Sequence, residues 1–260
     1  MIRIAVAGAA GRMGREVVRT ALSDPGMSLV AALDHHHCGD DVGVLIGAPT
    51  CGVQVEPMSA EALARSAPEV VVDFTVPRAA AGNALLALGA GARPIIGTTG
   101  LDETDLDSIR GALEGTSLAA LVVPNFAIGA VLMMQFAARA ARYMPGVEIV
   151  ELHHDAKLDA PSGTARLTAE RIAAVRERTA GVDEATEARG QEVAGIRIHS
   201  VRLPGLVAHQ EVIFGAIGQT LTIRHDSIDR RSFMPGVTLA VQRISSLRGL
   251  HIGLEAVLDP

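Results

Sequence analysis

The sequence predicts an α/β chain whose first half builds a parallel sheet and whose second half turns to an α+β arrangement with a mixed or antiparallel sheet. Three observations carry this. From Ile2 to about Phe126 short apolar runs alternate with helical patterns, the rhythm of strands joined by crossover helices. Beyond Ile196 three strand-like runs follow one another without a helix between them, the rhythm of antiparallel pairing. A glycine-rich turn joins the first run to the first helical pattern. The 260 residues suit one large or two moderate domains. The chain is 48% hydrophobic but 2% aromatic, so its core must be built from Ala, Val, Leu, Ile and Met.

Ile2–Ala7 reads as a buried strand, Arg15–Leu22 as a helix stopped by Asp24-Pro25-Gly26, and Met27–Leu33 as a second strand ending at Asp34. Between the first strand and the helix lies Gly8-Ala-Ala-Gly11-Arg-Met-Gly14. This βαβ unit is Rossmann-like. Glycines let the backbone approach a pyrophosphate, the helix N-terminus offers N–H groups to it, and the acid after the second strand can accept from a ribose hydroxyl. The spacing is G-x-x-G-x-x-G rather than G-x-G-x-x-G, so the context argues for dinucleotide binding more strongly than the glycines do.

Further strands are predicted over Val70–Phe74, Arg93–Ile96 and Leu118–Val123, with helices from about Thr75 to Leu88 and from Asp105 to Leu113. The last two strands run into Gly97-Thr-Thr-Gly100 and Pro124-Asn-Phe126. Ligands of a doubly wound sheet sit at such carboxyl ends, where Thr98, Thr99 and Asn125 could serve a ribose or carboxamide, or simply build turns.

The net charge of −6 and the absence of a Lys/Arg cluster exclude a nucleic-acid footprint. No apolar run reaches the ~20 residues of a membrane span. Cys38 and Cys51 lack metal or redox spacing, and a strand beginning at Ile2 leaves no room for a signal peptide. The sequence thus predicts a cytoplasmic protein. His35-His-His37 invites a metal reading, but three adjacent side chains cannot all face one ion, so no metal site is expected.

In the second half, a strand from Val147 to Leu152 enters His153-His154, and Pro161-Ser-Gly-Thr164 precedes a helical pattern from Ala165 to Arg178. Pro and Ser start helices, and the turn can aim N–H groups at a carboxylate. Between them stands Lys157, the one lysine among twenty-three basic residues. Arginine cannot give up a proton at cellular pH, whereas an ammonium can. An anion cradle, two imidazoles and the sole ammonium suit reduction of a carboxylated imine or enamine, where a positioned acid protonates the carbanion. Residues 181–194 read as an exposed loop. Strands follow over Ile196–Val201, Val207–Phe214 and Thr220–Ile223, and a helix runs from Phe233 to about Ser246. The expected domains are residues 1–125, completed by 232–260, for the dinucleotide, and 126–231 for substrate binding and oligomerisation.

The motifs Gly8–Gly14, Asp73-Phe-Thr75, Gly97–Gly100, Pro124–Phe126, Glu151–Ala165, Val207–Glu211 and His225–Arg230 with Phe233 span the chain. In this order the chain resembles the 4-hydroxy-tetrahydrodipicolinate reductase (dihydrodipicolinate reductase) family. The E-x-H-H-x-x-K-x-D-A-P-S-G-T-A stretch is the specific part. The resemblance implies hydride transfer from NADH or NADPH to a dihydropyridine-type dicarboxylate of the diaminopimelate and lysine pathway. It implies His153 as proton donor and Lys157 as second acid, His154 at the substrate, and Gly163 with Thr164 at a carboxylate. Cofactor contacts would fall on Gly8, Ala9, Ala10, Gly11, Arg12, Met13, Asp34 and His35, on Gly97, Thr98 and Thr99, and on Val123, Pro124, Asn125 and Phe126. It also implies a homotetramer. The chain departs from the family at Asp155-Ala156, where many relatives carry a basic residue before the lysine. It departs again at His35, where NADP-preferring members carry arginine. Asp34 favours NAD and an imidazolium at His35 could accept a phosphate, so both cofactors are expected to work, NADH at least as well. Two rivals remain on the residues alone: an amino-acid dehydrogenase sharing the first half, and a cofactor-sensing regulator without chemistry.

Overall fold

A computed structural model describes residues 1–176 and 187–258. They divide into two compact units, Met1–Phe126 with Phe233–Pro260, and Ala127–Ser232.

The first unit runs β1 (Ile2–Ala7), α1 (Arg12–Ser23), β2 (Met27–Leu33), α2 (Val42–Leu45), β3 (Val55–Glu56), α3 (Ala60–Ser66) and β4 (Val70–Asp73). It continues through α4 (Pro77–Gly89), β5 (Arg93–Ile96), α5 (Glu103–Leu113) and β6 (Ala119–Val122). The strands are short runs of Val, Ile, Leu and Ala, because covering helices bury both faces of a parallel sheet. Ile4, Val6, Val71, Val72, Ile95 and Leu121 are all buried. Local chemistry starts the helices. Ser59 caps α3, Pro77 occupies the first turn of α4, and Asp102 with Asp105 forms a capping box on α5.

With β12 (Gly249–Ile252), the seven strands lie in the order β12-β6-β5-β4-β1-β2-β3, every pairing parallel. The connections reverse direction between β1 and β4, which makes that point the topological switch of a doubly wound sheet. The seventh strand, β12 (Gly249–Ile252), comes from the chain's return to this unit, with α8 (Met234–Arg243) before it and α9 (Glu255–Leu258) after it. Its four residues carry too little pattern to read from sequence; pairing with β6 makes them a strand.

The second unit runs α6 (Ile128–Ala141), β7 (Gly146–His153), α7 (Gly163–Ala173), β8 (Gln191–Val193), β9 (Ile196–Arg202), β10 (Ala208–Ala216) and β11 (Gln219–Ser227). The five strands lie in the order β11-β10-β7-β9-β8. The sheet is mixed: β7 and β9 are parallel, and the other pairs are antiparallel. Helices α6 and α7 pack on it. Along the strands, buried Ile149, Glu151, Ile198, Gln210, Val212 and Phe214 alternate with partly exposed Glu148, Val150, Leu152, Val201 and Ile213.

Three expectations change. Helix α1 begins at Arg12, three residues earlier than the pattern suggested, with Gly14 buried inside its first turn. The predicted loop over 181–194 falls partly outside the described residues, and the helix predicted to reach Arg178 ends at Ala173, giving way to turns through Arg176. Within that loop, Gln191–Val193 form an edge strand against β9. Helix α6 was not foreseen: it is apolar nearly all round, so it shows no amphipathic period to betray it.

Candidate active site

In the first unit the glycine loop leaves β1 through Gly8, whose φ of 78° places it where L side chains rarely go. A Cβ there would also lie 2.6 Å from the carbonyl of Phe74, and one on Gly14 would strike the carbonyl of Gly8. The turn is therefore as tight as a strand-to-helix crossing permits. Its first four N–H groups are already engaged. Gly8 and Ala9 donate to Leu33 O at 2.8 and 3.3 Å, and Gly11 donates to Gly8 O at 3.0 Å. Ala10 donates to Asp34 Oδ2 at 3.0 Å. An arriving phosphate would meet the next N–H groups, those of Arg12 and Met13, at a helix start where Gly11 supplies no side-chain cap.

Asp34 does double service at the end of β2, because its other oxygen accepts from the His36 N–H at 3.0 Å. Its carboxylate is thus held against the glycine loop. A cavity of about 340 Å³ opens at this place, lined by Gly8, Gly11, Leu33, Asp34, His35, Phe74 and Thr75 among others. It sits at the ends of β1 and β4, the switch point of the sheet. Apolar walls, a fixed carboxylate and a helix start fit the adenosine end of a nicotinamide dinucleotide.

Of the residues expected at the cofactor, the cavity gathers Gly8, Gly11, Asp34 and His35. The others reach it indirectly or lie apart. Gly97 packs against the Phe74 ring, where any Cβ would clash, and Phe126 faces the same ring with centroids 5.4 Å apart. Thr98 is buried and donates to Asp73 Oδ1 at 3.1 Å. Val123 is buried, its N–H given to Ile96 O. Ala9 is buried, Ala10 and Met13 are half-buried, and Arg12, Thr99 and Pro124 are exposed. Asn125 is half-buried.

Sequence reasoning missed Asp73 and Phe74. Asp73 is buried and accepts from the Thr75 N–H and hydroxyl, from Asn83 and from Thr98. It therefore pins the loops after β4 and β5 together. Both residues stood in a motif singled out above, yet nothing local marks a residue as a hub.

In the second unit β7 delivers His153. Its Nδ1 lies 2.5 Å from Glu151 Oε2, and its side chain is 15% exposed. Glu151 has no exposed surface. It accepts from Arg202 Nη1 at 2.9 Å and Nη2 at 2.7 Å, and from the Ser162 N–H at 3.2 Å. Burial alone would raise this carboxyl, but the hydrogen bonds from His153, Arg202 and Ser200 outweigh it and hold the pKa at about 2. Glu151 is thus an anion at any physiological pH.

Ser162 caps α7, its side chain accepting from Ala165 N at 3.2 Å. Exposed Gly163 and half-buried Thr164 form the helix start. A Cβ on Gly163 would meet nothing within 4 Å. Lys157 stands on the loop between β7 and α7, its Nζ 2.7 and 2.8 Å from the two oxygens of Asp159. Those bonds hold Asp159 below the usual carboxylate range, burial opposing them. Arg202 reaches the same loop through the Asp159 carbonyl at 2.7 Å. His153, Lys157, Gly163 and Thr164 are therefore set by one strand end and one connected loop. His154 follows β7 and is exposed. Glu151 and Arg202 were not assigned a role from sequence; 51 residues separate them, and no local pattern pairs them.

Comparison with known proteins agrees along the whole chain. The family "Dihydrodipicolinate reductase, N-terminus" matches residues 2–126, and "Dihydrodipicolinate reductase, C-terminus" matches residues 129–258. The 4-hydroxy-tetrahydrodipicolinate reductase of Desulfitobacterium hafniense is 50% identical over 264 residues, covering 99% of each chain. That of Listeria monocytogenes is 51% identical over 263 residues, covering 99% of this chain and all of its own. A dipicolinate-bound dihydrodipicolinate reductase from Paenisporosarcina superposes with a TM-score of 0.87 at 45% identity, covering 99% of this chain and 100% of that one. With both halves matched in order and half the residues shared, this chain belongs to the dihydrodipicolinate reductase family.

Proposed function

We propose that this chain reduces the dihydropyridine dicarboxylate formed when 4-hydroxy-tetrahydrodipicolinate loses water, giving tetrahydrodipicolinate for diaminopimelate and lysine biosynthesis. The observation that carries this reading is the second unit's acid cluster. An imidazole backed by a buried anion, an ammonium and the Ser162-capped start of α7 lie on one strand end and its loop. The N–H groups at Gly163 and Thr164 take a ring carboxylate, assisted by the helix dipole. His153 gives a proton to the reacting ring, Lys157 serves as the second acid, and His154 contacts the substrate. A positioned acid of this kind contributes on the order of 10²–10⁴ in rate.

NADH or NADPH supplies the hydride when bound. The chain's own part is to hold it. Arg12 and Met13 offer N–H groups to the pyrophosphate, and Asp34 accepts from the adenosine ribose. His35 stands beside the position a 2′-phosphate would take, so both cofactors serve. Thr98, Thr99, Asn125 and the carbonyl-bearing turns around Gly97 and Val123–Phe126 orient the nicotinamide end. The protein works in the cytoplasm as a homotetramer. The mixed sheet supports this assembly, because its second face carries the partly exposed Val150, Leu152, Val201 and Ile213.

The test is an assay with the condensation product of pyruvate and aspartate semialdehyde, following loss of the reduced nicotinamide absorbance. Consumption with either cofactor is expected. Turnover of oxaloacetate and ammonia in its place would assign the chain to the amino-acid dehydrogenases. Tight cofactor binding with no turnover would make it a sensor.

A further inference from the structure

Glu151 is the one acid of the second unit without exposed surface among the described residues. It precedes His153 by two positions on β7, so both side chains stand on one face of the strand. Its oxygens face His153 Nδ1, both terminal nitrogens of Arg202 and the Ser162 N–H, with Ser200 also contributing. A buried ion pair is a poor device for stability, since well-packed apolar side chains do as well or better. This pair instead touches every part of the acid cluster: the imidazole, the cap of α7 and the loop of Lys157.

We propose that Glu151 and Arg202 form the positioning unit of the proton-transfer site. Glu151 holds His153 with its Nδ1–H turned inward, leaving Nε2 as the nitrogen that exchanges a proton with substrate. Arg202 ties the Lys157 loop to the same carboxylate through the Asp159 carbonyl. The inference rests on the role given to His153 above. In the step, the Nε2–H bond breaks as a C–H bond forms on the substrate. The imidazolium becomes neutral, and its remaining proton stays on Nδ1 against an ionised Glu151. The charged groups about His153 are Glu151 on its own strand, Arg202 opposite it on β9, and Lys157 with Asp159 on the following loop. Across from it, β10 presents Ala208.

The full-length Glu151→Gln variant keeps the shape and removes the charge. Its kcat should fall about 10- to 100-fold while KM stays within a few-fold. In the wild type, ¹⁵N NMR of the imidazole should show neutral His153 protonated at Nδ1, a preference the variant loses. If the lone Arg202 charge prevents folding, the double variant Glu151→Gln/Arg202→Met carries the same test. Arg202→Lys keeps charge but loses the fork, and its kcat should fall about 10-fold with cofactor affinity held. A folded Glu151 variant with wild-type kcat, or a wild-type His153 protonated at Nε2 when neutral, overturns the proposal. Wild-type kcat in Arg202→Lys removes Arg202 from the unit. Inactivity of the wild type on the condensation product would remove the proposed function instead, and the imidazole tautomer, read without turnover, would still decide the role of Glu151.

Discussion

Lys157 is held by both oxygens of Asp159, yet its side chain remains 22% exposed, so it is restrained without being sealed off. An arginine could form the same pair with better geometry, but it could not give up a proton. Lys157→Arg should therefore lower kcat by ~10² or more while cofactor affinity, measured by titration, stays at the wild-type value. A near-normal kcat would reduce Lys157 to a source of charge. At this scale the sequence was informative. A lysine used once in a chain of arginines, beside two histidines and a helix-starting turn, is legible because all its parts lie within a few residues of one another.

Elements depend on contacts that their own residues do not display. The glycine turn is the example. Sequence spacing placed its helix at Arg15, whereas the structure starts it at Arg12 because Gly14 lies under the Gly8 carbonyl. The absence of a side chain at position 14 is what lets α1 begin against β1. Gly14→Ala should push the two apart and destabilise the first unit by about 1–3 kcal/mol. A thermal melt would show a lowered midpoint, and dinucleotide affinity should fall with it. An unchanged melt would mean that the loop has slack the structure does not display. Helix α6 makes the converse point. Its nearly uniform apolar sequence hides the amphipathic period by which α5 could be read, although both are regular helices.

Across the whole molecule, stability should decline with acid in two windows. His225 packs on Gly129, and burial lowers its pKa, with His209 adding to the effect and Asp226 opposing it. The unfolded chain then binds this proton more readily, so stability declines as pH falls below 6.5. Glu151 acts in a second window. Its folded pKa of about 2 lies below the ordinary 4.5, so the advantage of its ionised form is complete above pH 4.5 and lost as pH falls toward 2. Thermal melts between pH 7 and 3 should show the decline, steeper below 4.5 in the wild type than in a folded Glu151→Gln variant. Parallel curves for the two proteins would show that the buried carboxylate is not a stabilising charge.

The sequence by itself determined the chemistry on offer and the local segments that carry it: the strand–glycine turn–helix, the acid that ends β2, and the stretch from Glu151 to Ala165. These are written in neighbours along the chain, where period, capping and turn geometry act. Only the tertiary structure decided that Asp73 would pin Thr98, that Glu151 would face Arg202, and that the last strand would return to β6. Each of those pairings joins segments far apart in sequence. Their partners are chosen by which strands become neighbours in a sheet, and that choice belongs to the packing of the whole chain.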